Sequence, residues 1–103
     1  MDYKYNARNI RVIDGDTIEA EIDLGFRVFR KDIFRLAGIN APEHDKQSTD
    51  FLNAAIEGKT IVLESHKAEK YGRWLATVYA DGININQAVV NAGHAVPYSG
   101  GKR

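Results

Sequence analysis

Four short stretches carry the side chains able to do chemistry: Asp14-Gly15-Asp16-Thr17, Arg35, Asn40-Ala41-Pro42-Glu43 and Tyr71-Gly72-Arg73. In chain order they supply two carboxylates, a guanidinium, a carboxamide, a further carboxylate and a second guanidinium. A hard metal ion takes oxygen ligands of the kind that Asp, Asn and Glu offer. A phosphodiester is gripped by guanidinium forks, which meet two of its oxygens at once. One chain carrying both sets, on short turns between strand-like segments, reads as a metal-dependent phosphodiesterase.

The surrounding segments must bring these residues together. Residues from about Asn9 to Ile13 and from Thr17 to Leu24 read as strands. In the second, Ile18, Ala20, Ile22 and Leu24 alternate with Glu19, Glu21 and Asp23, the period of a sheet with one wet face. Asp14-Gly15-Asp16 between them is turn chemistry, so the pair is a hairpin. A third strand is expected from Phe26 toward Ile39, with Arg35 pointing away from the side of Phe34 and Leu36, and with a bend at Gly38. Pro42 then takes the chain out of the sheet, because it lacks a donor and keeps Ala41 from helical geometry.

A helix is expected from around Asp45 or Ser48 to Glu57, with Phe51, Leu52, Ala55 and Ile56 as its apolar stripe and Gly58 ending it. Thr60 to Glu64 reads as a strand, Ser65 to Gly72 as a polar loop, Arg73 to Ala80 as another strand, and Asp81-Gly82 as a tight turn. Asn84 is placed to cap a last helix, with Gln87 reaching back from the third position. Ile85, Ala88, Val89 and Ala92 share its apolar face and Gly93 stops it. The order strand, strand, strand, helix, strand, strand, helix implies a mainly β fold with α, a small curled OB-type barrel of five strands carrying two helices. Residues 1–98 form the expected domain and 99–103 a flexible tail.

At 103 residues the chain is long enough for one modest core. Without cysteine, disulfides and thiolate metal sites are excluded and stability rests on packing. No apolar segment is long enough to span a bilayer, and no membrane role is expected. Residues 1–6 carry charge with no apolar run behind them, so no signal peptide is read; the expectation is a monomer, cytoplasmic or of unknown location, with secretion after removal of a leader left open. Lys and Arg together number 14, as do Asp and Glu. That neutrality argues against a non-specific nucleic-acid coat, but less against a nuclease, which needs only a locally positive cleft.

Each candidate also has an ordinary structural use. Asp14 and Asp16 around Gly15 are common turn residues. Arg35 with Glu43, and Arg73 with Glu69, would make structural ion pairs, and Asn40 would cap a turn. Glu19, Glu21 and Asp23 read as a solvated strand face. His44, His66 and His94 lack ligand spacing and read as surface or packing residues, and Trp74 as barrel wall.

Taken together, Val12-Ile13-Asp14-Gly15-Asp16-Thr17, Phe34-Arg35-Leu36 running to Pro42-Glu43, Lys70-Tyr71-Gly72-Arg73, Tyr79-Ala80-Asp81-Gly82 and Gln87 to Gly93 resemble the staphylococcal-nuclease-like (thermonuclease) family over roughly residues 10 to 98. The resemblance implies an OB-fold and a calcium-dependent hydrolase, an endo- or exonuclease acting on DNA and RNA. Carried over, it makes Asp16 a direct Ca²⁺ ligand, with Asn40 and the Ala41 carbonyl as the other protein ligands and Asp14 beside the metal's waters. Glu43 falls on the proposed general base, and Arg35 and Arg73 on the phosphate-binding arginines. Lys70 and Tyr71 fall on positions touching a neighbouring phosphate, and Tyr98 on a tyrosine lining the nucleotide pocket.

Three departures stand out. Asn40 replaces an aspartate, which weakens metal binding and leaves other divalent metals open. The segment after Glu43 is short, and the family's third, C-terminal helix has no counterpart in this chain. The rival to a nuclease is a catalytically weak or inactive OB module binding nucleic acid or a protein partner.

Overall fold

The computed structural model describes residues 3–68 and 74–98. Its longest strand, β1 (Tyr3–Asp14), pairs with β2 (Thr17–Asp23) through its second half; β3 (Phe29–Leu36) pairs with β2 in turn. The first half of β1, Tyr3 to Ala7, instead pairs with a later strand at Ile61 to Ser65. Register shifts between Arg8 and Arg11 and between Val12 and Asp14 mark bulges, and Asn9 sits at φ +50° in the first. A bulge bends its strand, which lets β1 serve both sides of a closing sheet. This explains why β1 begins at Tyr3 rather than near Asn9: its early residues are held by long-range pairing, which leaves no local periodicity to read.

After β3 come the short β4 (Ile39–Asn40), the helix α1 (Lys46–Ile56), β5 (Ile61–Ala68) and β6 (Trp74–Ala80). Then follow β7 (Ile83–Asn84), α2 (Ile85–Asn91) and β8 (Val96–Pro97). β5 lies antiparallel between β1 and β6, and β6 closes on β3 in parallel, with Phe34 opposite Trp74 and Leu36 opposite Ala76. Five strands thus form a closed OB-type barrel with two helices among the described residues. A separate antiparallel bridge joins β4 to β8, pairing Asn40 with Val96.

The alternation in β2 has the expected sense. Ile18, Ala20 and Ile22 are buried in the barrel with Phe34, Leu63 and Val78. Glu19 and Glu21 face outward and pair across the sheet with Arg11 and Arg8. These cations, Arg11 first for Glu19 and Arg8 first for Glu21, hold both carboxyls below the usual carboxylate range.

Three boundaries and one side-chain contact differ from expectation. The third strand starts at Phe29, because Gly25, Phe26 and Arg27 all have positive φ and reverse the chain. It ends at Leu36, and Gly38 at φ +78° turns the chain into β4. β5 continues to Ala68 where a polar loop was expected from Ser65, held by pairing to β6 rather than by an apolar pattern. Asn84 caps α2 by accepting from the Gln87 amide at 3.0 Å, but the Gln87 side chain reaches forward to Asn91 at 2.9 Å instead of back. Residues 69–73 and 99–103 lie outside the described residues, and with them the expected tail, Lys70, Tyr71 and Arg73. No helix among the described residues is long and apolar enough to cross a membrane.

Candidate active site

Asp16 ends the β1–β2 turn, Arg35 stands one residue before the end of β3, and Asn40 ends β4. The closed sheet superposes these positions: Thr17 is the register partner of Arg35, and the Leu36 amide donates to the Asp16 carbonyl at 2.8 Å. The Arg35 Nη2 group donates to Asn40 Oδ1 at 3.0 Å and lies 3.5 Å from Asp16 Oδ2. Both members of the ion pair are well covered, with side chains 12% and 9% exposed. Removing either partner would leave a largely buried charge uncompensated, a costly change.

Asp16 is held on its other sides too. Its Oδ2 accepts from the Ala41 amide at 2.9 Å, and its Oδ1 from the Thr17 hydroxyl at 3.0 Å. An ionised carboxylate has about four acceptor positions, so these bonds leave about one for another partner. Ala41 is therefore placed directly against Asp16, and Asn40 is joined to it through Arg35.

Tyr98 reaches the same place from the far end of the chain. Its amide donates to the Gly38 carbonyl at 2.8 Å, continuing the β4–β8 bridge, and its ring centroid lies 5.4 Å from the Arg35 guanidinium carbon. Asp14 accepts from the His44 amide at 3.2 Å. That bond ties the β1–β2 turn to the turn after Pro42, on which Glu43 is exposed. The expected alternative of an Arg35–Glu43 ion pair is not formed; Arg35 pairs with Asp16. Beside Asn40 a cavity of about 280 Å³ opens between Pro42, Ser48, His94 and Val96.

The site is supported by three small or polar residues that periodicity did not mark as such. Gly15 is buried against α1, where an added Cβ would come within 2.5 Å of Ser48 Cβ and 3.0 Å of Ala41 Cβ. Ser48 is fully buried; its Oγ lies 2.6 Å from Asp45 Oδ2 and 2.9 Å from the His94 carbonyl. The Ser48 hydroxyl, helped by its amide, holds the Asp45 carboxyl below its ordinary range. Asn86, expected on no apolar face, is buried and accepts from the Val78 amide while donating to the Ala37 and Ala76 carbonyls. It fastens α2 to β6 and to the segment after β3. Asn86 lies between Ile85 and Gln87, two places after the Asn84 cap, and no local pattern marks it for burial.

Among the described residues no group of three or more His, Cys, Asp or Glu side chains gathers to hold a metal. What gathers is one carboxylate and one carboxamide oxygen, joined by the Arg35 guanidinium, with the Ala41 amide donating to the carboxylate. Oxygen donors of this kind fit a hard cation that keeps much of its water.

Residues 33–102 match the staphylococcal nuclease homologue family. An uncharacterised endonuclease of Escherichia coli O157:H7 is 40% identical over 99 residues, covering 90% of this chain and 61% of its own length. The thermonuclease of Staphylococcus hyicus is 32% identical over 98 residues, covering 84% of this chain and 55% of its own length. The chain thus spans less than two thirds of either relative.

Proposed function

The chain belongs to the staphylococcal nuclease homologue family, and on that premise we propose that it is a nuclease hydrolysing phosphodiester bonds of DNA and RNA without base-sequence preference, with a divalent cation, calcium first, as cofactor. The observation that carries this reading is the placement of a covered Arg35 guanidinium against Asp16 and Asn40 at one end of the barrel.

Asp16, the Asn40 side-chain oxygen and the Ala41 carbonyl would hold the cation, which when bound offsets negative charge on the phosphate. Arg35 grips the phosphate through two parallel N–H donors, and its bonds to Asp16 and Asn40 fix the fork before substrate arrives. Glu43 accepts the proton of the attacking water as the water oxygen bonds to phosphorus and the bond to the leaving oxygen breaks. Arg73 serves as the second guanidinium, Lys70 and Tyr71 touch a neighbouring phosphate, and Tyr98 lines the nucleotide pocket. Digestion of single-stranded DNA with added Ca²⁺ is the test: cleavage that chelator abolishes supports the reading, and cleavage indifferent to chelator overturns its metal dependence.

One observation favours a second reading, a non-catalytic OB module. Arg35 already occupies both oxygen donors, and Asn40 brings no charge. Calorimetry separates the two, since no calcium uptake even with a nucleoside bisphosphate present favours the binding module.

A further inference from the structure

The two strands that carry Asp16 and Arg35 at one end are joined at the other by a tip that the chemistry above does not use. Residues 24–31, Leu-Gly-Phe-Arg-Val-Phe-Arg-Lys, are all exposed and hold three cations and no acid. Phe26 is 100% exposed. It also has φ +55°, followed by Arg27 at φ +62°. Bulky residues avoid that region, so the backbone is strained to hold an aromatic ring in water. The reversal is nonetheless well formed, with the Leu24 amide donating to the Val28 carbonyl and the Val28 amide to the Gly25 carbonyl, both at 2.9 Å.

The neighbouring residues extend the pattern of rings and cations. The Arg8 guanidinium lies over the Phe29 ring at 3.5 Å. No ion pair involving Arg27 occurs among the described residues. Leu24 and Arg30, at the feet of the tip, also line a cavity of about 220 Å³ walled by Tyr5, Phe34 and Trp74. Arg30 is anchored there by Asp32 at 3.1 Å, which also accepts from the Trp74 indole at 3.1 Å.

From these features we infer that the β2–β3 tip, through Phe26, Arg27 and Phe29, is a second contact site for a single nucleic-acid strand whose reacting phosphate lies at the Asp16–Arg35 end. The inference rests on the nuclease reading for the identity of the strand. Exposed rings interleaved with cations suit unpaired bases and phosphates: every base has a face to stack, and each cation answers a phosphate. The residues from Thr17 to Asp23 span about 20 Å at strand rise, or about six stacked base steps. A strand several nucleotides long therefore touches both ends of the hairpin, while a mononucleotide touches one.

The test is fluorescence anisotropy of a labelled twenty-nucleotide oligothymidylate with the full chain in chelator, so that nothing is cut. Phe26→Ala is expected to weaken binding at least about fivefold, with Phe26→Trp binding as the parent does. Arg27→Ala is expected to flatten the salt dependence by about 0.7 in logarithmic slope. Circular dichroism of each variant verifies folding, which a fully exposed side chain does not govern. Equal binding by the parent and Phe26→Ala overturns the inference, and so does a parent that does not bind the strand. A Phe26→Ala effect seen only on self-association or vesicle binding overturns it too. Cleavage of the same oligonucleotide with Ca²⁺ is scored separately: cutting with an inert tip sinks this inference alone, and tip-dependent binding without cutting sinks the nuclease reading alone.

Discussion

The Arg35 guanidinium donates to the Asn40 amide oxygen at 3.0 Å while standing 3.5 Å from Asp16. One formal positive charge thus faces one formal negative charge, and the second oxygen donor is neutral. With Asp16 and Arg35 cancelling, little net charge remains to attract a cation. Asn40→Asp adds a full negative charge at this point, at an expense in like-charge repulsion that Arg35 offsets. At about 4 Å and an effective dielectric near 20, a charge pair is worth roughly 4 kcal/mol before such offsets. Tenfold or tighter calcium binding by Asn40→Asp is therefore expected in calorimetry. Unchanged affinity would place the cation elsewhere.

Gly15 holds the acidic turn against α1 by having no side chain. Gly15→Ala would drive a methyl group to 2.5 Å from Ser48 Cβ, and the Ser48 backbone carbon is only 3.3 Å away. Neither neighbour is the end of a flexible chain, so the turn and the helix must part. Overpacking of this kind costs about 1–3 kcal/mol. Urea unfolding of Gly15→Ala should show that loss, and activity should fall further because Asp16 moves with the turn.

Strain at the hairpin tip gives a prediction of opposite sign. Phe26 at φ +55° is conformationally unfavourable, and glycine occupies that region freely. Phe26→Gly is expected to raise stability by about 0.5–1 kcal/mol in chemical denaturation while losing affinity for single strands. A variant that gains stability and keeps affinity would show that the strain serves no binding role.

The cap of α1 sets an acid dependence. The Ser48 hydroxyl keeps the Asp45 carboxyl below the ordinary range, and an unfolded aspartate titrates near about 3.9. Because the folded value is the lower one, this contribution is fully present above about pH 4 and is lost as pH falls through the folded value. Asp45→Asn retains a capping oxygen without a titrating group. Thermal unfolding at pH 7 and pH 3 should show the parent losing more stability than Asp45→Asn on acidification. Parallel losses would assign the acid sensitivity to other groups.

Local signals were legible where the physics is local. The Asp14-Gly15-Asp16 turn, the alternation in β2 and the Asn84 cap each follow from a few adjacent residues, and each appears in the fold. The extent of β1 did not, because its first half is held by residues about sixty positions away and its bend by a bulge at Asn9. The site divides in the same way. Residue types nominated Asp16, Arg35 and Asn40, and the family resemblance added Ala41 and Tyr98; the closed barrel brings all five together. That Arg35 joins Asp16 to Asn40, rather than pairing with Glu43, depends on the parallel closure of β3 on β6 and the β4–β8 bridge. No spacing rule encodes either. Asn86 and Ser48 escaped notice because polar side chains are buried only when several distant backbone groups satisfy them.

Calcium-dependent cleavage of single-stranded DNA, compared between the parent and Arg35→Ala, addresses the central claim most directly. Removing a fixed donor from a developing phosphoryl charge typically costs about 10²–10³ in rate, so a loss of at least about 10²-fold in kcat is expected, with circular dichroism verifying that the variant is folded. Cleavage by Arg35→Ala at the parent's rate would contradict the assignment of this cluster as the active site.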